Sequence, residues 1–290
     1  MFISVIMSAL LSGSIYGLIG LGYSLIYRAS GIMNLSQGDL MCIGGFLGYT
    51  FYKMSGLSVL PSLILTIICT FILGCILERS VIRPIFNRSA NTSVIILATI
   101  AVSYIIQSLE IIIWGAAPLA IPSYLKTQTV KLFGVTYQTE SLLCIAVAII
   151  CMLAIHLFMK KTPFGIAMRA AAMDPEAARS CGINVEMTTR ITWAISTTIA
   201  GIAGFMIGPI YGVSTTLGPS MSAKGFASAV VGGYGDMYGA ILGGGVLAAL
   251  ESFSAGYISS TLKQLVAYVT VLIILVVKPR GLMNAESVKD

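Results

Sequence analysis

The chain has 290 residues, of which 57% are apolar (AVILMFWYC) and only 10% charged, with a mean hydropathy of +0.94. A soluble domain carries about a quarter of its residues as charges, so this sequence has too few to cover a water-facing surface, and its length is better divided by the roughly 20 residues that cross a hydrocarbon core. The net charge of +6 would hint at nucleic acid in a soluble protein; here the basic residues sit between apolar runs and bear on topology instead.

Apolar runs fall at about 3–27, 38–54, 57–79, 93–114, 141–159, 190–210, 226–250 and 262–277. Each is long enough, or nearly so, to span as a helix, the form that satisfies all its backbone groups internally. The fold class read from this pattern is an all-α polytopic membrane protein, a single domain over 1–290 with about seven or eight transmembrane helices. The first run is too long for a signal-peptide core, lacks a basic leader and shows no clear cleavage site. Six cysteines (Cys42, Cys69, Cys75, Cys144, Cys151, Cys181) have no metal-type spacing and read as small packing residues. No metal site is expected.

Between the first two runs lies a Gly-bounded break with Asn34, Gln37 and Asp39. It is either a polar turn at the membrane surface, with Asp39 near a helix start, or an unwound element facing a solute path. The 93–114 run carries Thr99, Ser103, Gln107 and Glu110 at helical spacing. That polar stripe serves either interhelical hydrogen bonding or pathway lining. His156 is the only histidine and makes no metal or nucleophile pair on its own.

The longest polar stretch, 160–190, contains two helix starts of one design. Thr162 can cap a helix with Pro163 at its first position, and Asp174 another with Pro175 following. Glu176 then sits where a negative charge suits the helix dipole, and Gly182 supplies a stop. Two short helices are expected, at about 163–172 and 175–181. Ala177 and Ala178 keep the second slim enough for a groove on a partner.

The 226–250 run is interrupted by Gly232-Gly233-Tyr234-Gly235-Asp236. Twenty-five residues are too few for two crossings, so two half-helices are expected to enter and return on one side, with the break at membrane depth, where only protein or a water-filled cavity tolerates it. Gly235, Gly239 and Gly243, and likewise Gly204 and Gly208, form small-residue ladders for close helix contact.

Twelve of the 17 basic residues fall in one set of connections: Arg28; Arg79, Arg83 and Arg88; Lys160, Lys161, Arg169, Arg179 and Arg190; Lys278, Arg280 and Lys289. The other set holds Lys53, Lys126, Lys131, Lys224 and Lys263. The positive-inside rule puts the first set, with the carboxyl terminus, in the cytoplasm and the amino terminus outside. The third and eighth runs both end in a basic-proline element, Arg83-Pro84 and Lys278-Pro279, a weak echo of an internal repeat.

Glu176-Ala177-Ala178, three residues and Gly182 resemble the EAA-x-x-x-G signature of permeases in ATP-driven (ABC) importers; the Ile-x-Leu-Pro that follows in the fullest consensus is absent, which argues against the maltose-type branch. The wider pattern resembles the branched-chain amino acid permease family, its LivH-like subunit in particular. Its matching stretches are Gly31 through Asp39, Arg83-Pro84, Arg169 through Ile183, Ala200 through Gly204, Val231 through Gly235 and Lys278 through Leu282. The resemblance implies an importer of bacterial inner membranes built from this subunit, a second permease, two ATP-binding subunits and a periplasmic or lipid-anchored solute-binding protein. It implies an ATPase-coupling loop with Arg169, Asp174, Pro175, Glu176, Ala177, Ala178 and Gly182. It favours a solute path near Asn34, Gln37 and Asp39; the stripe Thr99, Ser103, Gln107 and Glu110 and the break at Gly232, Gly233, Gly235 and Asp236 are the further candidates to line it. No Gly-Lys dipeptide occurs, which excludes a Walker A loop; ATP and magnesium belong on partner subunits, and this chain is expected to bind no cofactor.

Two rivals stand beside this reading. A self-sufficient secondary carrier or channel for a neutral solute such as urea or an amide would leave the capped loop idle. An intramembrane aspartyl protease is suggested by Gly233-Tyr234-Gly235-Asp236, but that chemistry needs two carboxylates sharing a proton, and only Asp39 is offered as the second.

Overall fold

An unbroken apolar run with no proline hydrogen-bonds to itself as a helix when water is excluded, and the first element obeys this. The computed structural model describes residues 2–88, 92–125, 129–132, 135–278 and 281–283. Helix α1 (Phe2–Ser30) is followed by α2 (Gln37–Gly48), which continues through a π-helical turn over Tyr49–Met54. Helix α3 (Val59–Leu77) passes through a second π-helical turn (Glu78–Ile82) into α4 (Arg83–Arg88), and α5 covers Thr92–Trp114. A two-stranded antiparallel hairpin, β1 (Thr129–Leu132) and β2 (Val135–Gln138), precedes α6 (Thr139–Lys161). Then come α7 (Pro163–Met173), α8 (Pro175–Ser180), α9 (Val185–Tyr211), α10 (Leu217–Gly232), α11 (Met237–Tyr257) and α12 (Lys263–Val277). Six of these helices are long and apolar enough to cross a membrane, and α12 is a shorter apolar one. This is an all-α polytopic membrane protein.

Basic residues mark one end of the bundle. Arg28 closes α1, Lys160 and Lys161 close α6, and Arg190 lies near the start of α9. Helix α11 runs antiparallel to α1: Phe2 stacks edge-on to Phe253, Tyr16 bonds Glu251, and Tyr27 packs on Tyr234. Residues 233–236 therefore lie at the basic end. The backbone N–H groups of Leu282 and Met283 donate to the carbonyls of Val231 and Gly232, so the described tail residues lie there too. Pro279 and Arg280 fall outside the described residues.

Two chain breaks are related by an inverted arrangement. Helix α1 runs toward the basic end and stops at Gly31 (φ +66°); α9 runs away from that end and stops at Gly212 (φ +73°). These left-handed conformations favour glycine. Each break leads into a half-helix that continues on a different course. Helix α2 goes on to the far end, where Lys53 donates to the Ala120 carbonyl. Helix α10 goes to the turn at 233–236. The half-helices cross near their first turns, and a Cβ on Gly38 would collide with the Gly218 carbonyl oxygen. Each is bonded to the opposite break: Ser222 Oγ of α10 donates to Leu35 O (3.0 Å), and Cys42 Sγ of α2 donates to Ser214 O (3.5 Å). Helices α9 and α2 touch backbone to backbone, because a Cβ on Gly204 would overlap the Met41 carbonyl oxygen. That is the small-residue contact membrane helices use in place of a hydrophobic drive.

Several expectations change. The 38–54 run is a half-helix and its extension, not an ordinary crossing. The returning segment is 217–257, and the break at depth is 212–216, not Gly232–Asp236. Lys224, counted among outer loop residues, is buried on α10 and forms an ion pair with Glu251. The inverted arrangement seen here relates α1–α2 to α9–α10. Gly239 and Gly243 pack on Gly232 and Ser228 of α10, as the ladder suggested, and Gly204 meets α2, whereas Gly208 packs on Ile121 of a connecting segment rather than on a helix. All six cysteines are free, and no group of metal-binding side chains occurs among the described residues.

Candidate functional site

The two breaks bring the polar residues of the first run boundary into the bundle interior. Asn34, Gln37 and Asp39 are each at most 1% exposed, which rules out a surface turn. Asn34 Nδ2 donates to Gln37 Oε1 (3.2 Å), and Gln37 Nε2 donates to Ser196 Oγ on α9 (3.0 Å). Thr99 accepts from the Leu35 amide (3.2 Å), which pins the break against α5. These groups satisfy unwound backbone and side chains that have no water to turn to.

Beyond them a cavity of about 320 Å³ opens between α2, α5 and α10. Asp39 is on its wall: Ser103 Oγ donates to its Oδ2, and Gln107 Nε2 donates to its Oδ1 at 3.0 Å. Ser103 and Gln107 are one turn apart on α5, so these two members of the polar stripe both bond α2 and face the cavity, whereas Thr99 bonds the break without lining the cavity. Leu35, Ile100, Tyr104 and Phe226 contribute apolar surface, and Tyr104, 66% exposed, stands at the mouth. Tyr23 shares a 2.6 Å hydrogen bond with Ser222 Oγ and fixes α10 to α1. Tyr23, Ser222 and Phe226 were missed in the sequence because they lie on elements read as uniformly apolar or as an outer loop.

Other candidates lie elsewhere. Glu110 is buried, with neither carboxylate oxygen hydrogen-bonded, and it does not line the cavity. Gly232, Gly233, Gly235 and Asp236 form the turn at the basic end, and Asp236 caps α11 by accepting from the Gly239 amide (2.6 Å). Asp236 and Asp39 thus have separate partners and share no proton. His156 pairs with Tyr238 at the start of α11.

The loop at the basic end has the expected local structure. Thr162 accepts from the Gly165 amide (3.0 Å), and Asp174 Oδ1 accepts from Glu176 N (2.9 Å) and Ala177 N (3.0 Å). At its other end the amide of Gly182 (φ +82°) donates to Arg179 O, and that of Ile183 to Ala178 O, the paired bonds of a Schellman stop. Pro175, Glu176, Ala177 and Arg179 are exposed, whereas Ala178 turns inward and is buried. The slim face is therefore Ala177 alone; Ala178 anchors the rod. Arg169 points into the fold beside Arg28, its Nε unpartnered.

A second charged cluster ties this loop to the bundle. Arg83 bonds both Glu78 oxygens (2.9 and 3.1 Å) and Glu186 Oε2 (2.7 Å), and Arg190 reaches Glu78 at 3.4 Å.

Known proteins match this chain along nearly its whole length. The LivH high-affinity branched-chain amino acid transport system permease protein of Salmonella typhimurium is 29% identical over 290 residues, covering 96% of this chain and 94% of its own. BraD, the corresponding permease protein of Pseudomonas aeruginosa, is 29% identical over 99% of this chain and 97% of its own. A probable LivH of Methanocaldococcus jannaschii is 24% identical over 96% and 91%. No solved structure matches. The family described as branched-chain amino acid transport system, permease component, matches residues 5–275, and this chain, a transport subunit and not an enzyme, belongs to it.

Proposed function

We propose that this chain forms half of the membrane pathway of an ATP-driven importer for branched-chain amino acids. A second permease covers the α5–α10 face at which the cavity opens. Two ATP-binding subunits, which hold the ATP and magnesium, grip the basic end, and a periplasmic or lipid-anchored solute-binding protein delivers solute to the far end. The basic end is cytoplasmic and the amino terminus is outside, in keeping with the charge asymmetry. The observation that carries the reading is α8, a rod capped at both ends whose outer face, with Pro175, Glu176 and Ala177, is exposed beside the bundle. Such a short helix has no stability of its own to spare, and its caps suit it to be held stiffly against a partner. Asp174 and Gly182 build the rod and Ala178 seats it, with Arg169 on α7 behind it. Asp39, Ser103 and Gln107 line the path, while Asn34, Gln37 and Thr99 hold the break that shapes it.

Glu176→Arg tests this. The residue is exposed, so its own fold should keep the wild-type melting temperature, but the reversed charge meets the ATPase groove. Recovery of the ATP-binding subunits with the purified permease is expected to fall roughly tenfold or more, as for a loss of about 1.4 kcal/mol. Retention of those subunits would overturn the docking role. So would labelling of residues 163–182 from outside the cell, or ion-gradient transport by this chain alone in liposomes.

A further inference from the structure

We propose that the cavity between α2, α5 and α10 is a binding site for a zwitterion with an apolar side chain, whose ammonium group is received by the Asp39 carboxylate. The inference rests on the importer reading and deepens it, by naming the group that meets the solute inside the membrane.

The first argument is the accounting of charge. Asp39 is 1% exposed and accepts side-chain hydrogen bonds from Ser103 and Gln107, both neutral. A carboxylate has about four acceptor positions, so the site leaves room for further donors. Among the described residues no cationic side chain pairs with Asp39, whereas buried Glu78 has two such partners and buried Glu251 one; buried Glu110 and Glu140 have none. A buried charge is unfavourable unless a counter-charge meets it, and the cavity borders Asp39 with open space.

The second argument is what stands beside the carboxylate. Asp39 occupies the first turn of α2, and the first turn of α10 is so close that a Cβ on Gly218 would collide with Asp39 Oδ1. Both helix amino-termini present partial positive charge there. They accommodate a negative charge without supplying a full cation, so the anion stays available to a ligand. An ammonium group, compact and with three donors, fits that vacancy in charge.

Third, the cavity is of suitable size and lining. About 320 Å³ is at the small end of the range for ligand sites. Its polar groups converge at Asp39, Ser103 and Gln107, and Leu35, Ile100 and Phe226 offer surface to an aliphatic chain.

The test uses the complete importer in proteoliposomes with leucine as solute. Asp39→Asn keeps the size of the side chain and can still bond Ser103 and Gln107, but removes the charge. It is expected to lower leucine delivered per ATP hydrolysed by roughly tenfold, with ATPase stimulation by the loaded binding protein retained; Asp39→Glu should recover part of the loss. A second measurement uses only the wild-type permease–ATPase complex, without binding protein. Leucine and 3-methylbutylamine at millimolar concentration should raise its melting temperature, and 4-methylpentanoate, which lacks the amine, should not. Unchanged coupling in Asp39→Asn, or equal stabilisation by 4-methylpentanoate, overturns the site while leaving the importer intact. If Asp39→Asn does not assemble, the ligand comparison decides. Absence of any ATP-dependent uptake by wild type overturns the importer reading, and this inference with it.

Discussion

Glu251 and Glu110 are both glutamates buried in membrane helices, 6% and 1% exposed, and their surroundings differ completely. Glu251 on α11 lies 2.7 Å from Lys224 Nζ and accepts from Tyr16 Oη at 2.6 Å, while Lys224 also donates to that hydroxyl at 2.8 Å. Glu110 on α5 has no hydrogen bond to either oxygen. The first is a latch. It joins α1, α10 and α11 where the half-helix α10 has no covalent continuation toward the far end. The second holds nothing together. Asp39 stands between the two, bonded to neutral donors and left without a cation. In a bundle with so few charges, a completed ion pair marks a place that must stay put, and an uncompensated carboxylate marks one that can take on something else.

The same substitution at each site breaks this comparison most directly. Glu251→Gln strands Lys224 as a lone buried cation, the case in which losing one partner costs about 3–5 kcal/mol. It should lower the unfolding midpoint in detergent more than any other single glutamine replacement in the bundle. The double variant Lys224→Met with Glu251→Gln should recover most of the loss, because removing both charges leaves neither stranded. A single variant as stable as wild type would mean that the triad does not hold α10.

Glu78→Gln should cost less, about 2 kcal/mol. Its oxygens accept from Nε and Nη2 of Arg83, but the Arg83 and Arg190 side chains are 18% and 31% exposed, so water takes over part of the lost interaction. Because Arg83 also bonds the start of α9 through Glu186, this variant should loosen the base of the coupling loop too. Faster hydrogen exchange at 185–190, with the cavity region unchanged, would be the mark of it.

What the sequence revealed and what it hid divide along similar lines. The caps at Thr162 and Asp174 and the stop at Gly182 were legible because each is completed by neighbours within a few residues. The polar stripe on α5 was legible because helical spacing fixes a shared face. The second break was not. Residues 217–225 carry Gly218, Pro219, three Ser or Lys side chains and another glycine, a composition that reads as an outer loop until Glu251 arrives to pair Lys224 from 27 positions away. Gly232–Asp236 reads as a break at depth for the same reason: glycine permits either an unwound element or a tight turn, and only packing against Tyr27 of α1 selects the turn. Depth in the membrane is a property of the assembled bundle, and apolar windows report it only where a helix faces lipid.

The smallest effect is expected at Glu110. Glutamine has nearly the same shape and no partner is lost, so the replacement should not lower the unfolding midpoint, the buried carboxyl group having no counter-charge to lose. Transport should be unaffected as well, since Glu110 does not line the cavity. Measured beside Glu251→Gln, it turns the contrast between the sites into one number, the difference in unfolding midpoint between two Glu→Gln variants of one protein. If Glu110→Gln proved as damaging as Glu251→Gln in the assembled importer but harmless in the isolated chain, the missing counter-charge would have to come from another subunit. Glu110 would then belong with the latches, and Asp39 would remain the carboxylate that borders the cavity.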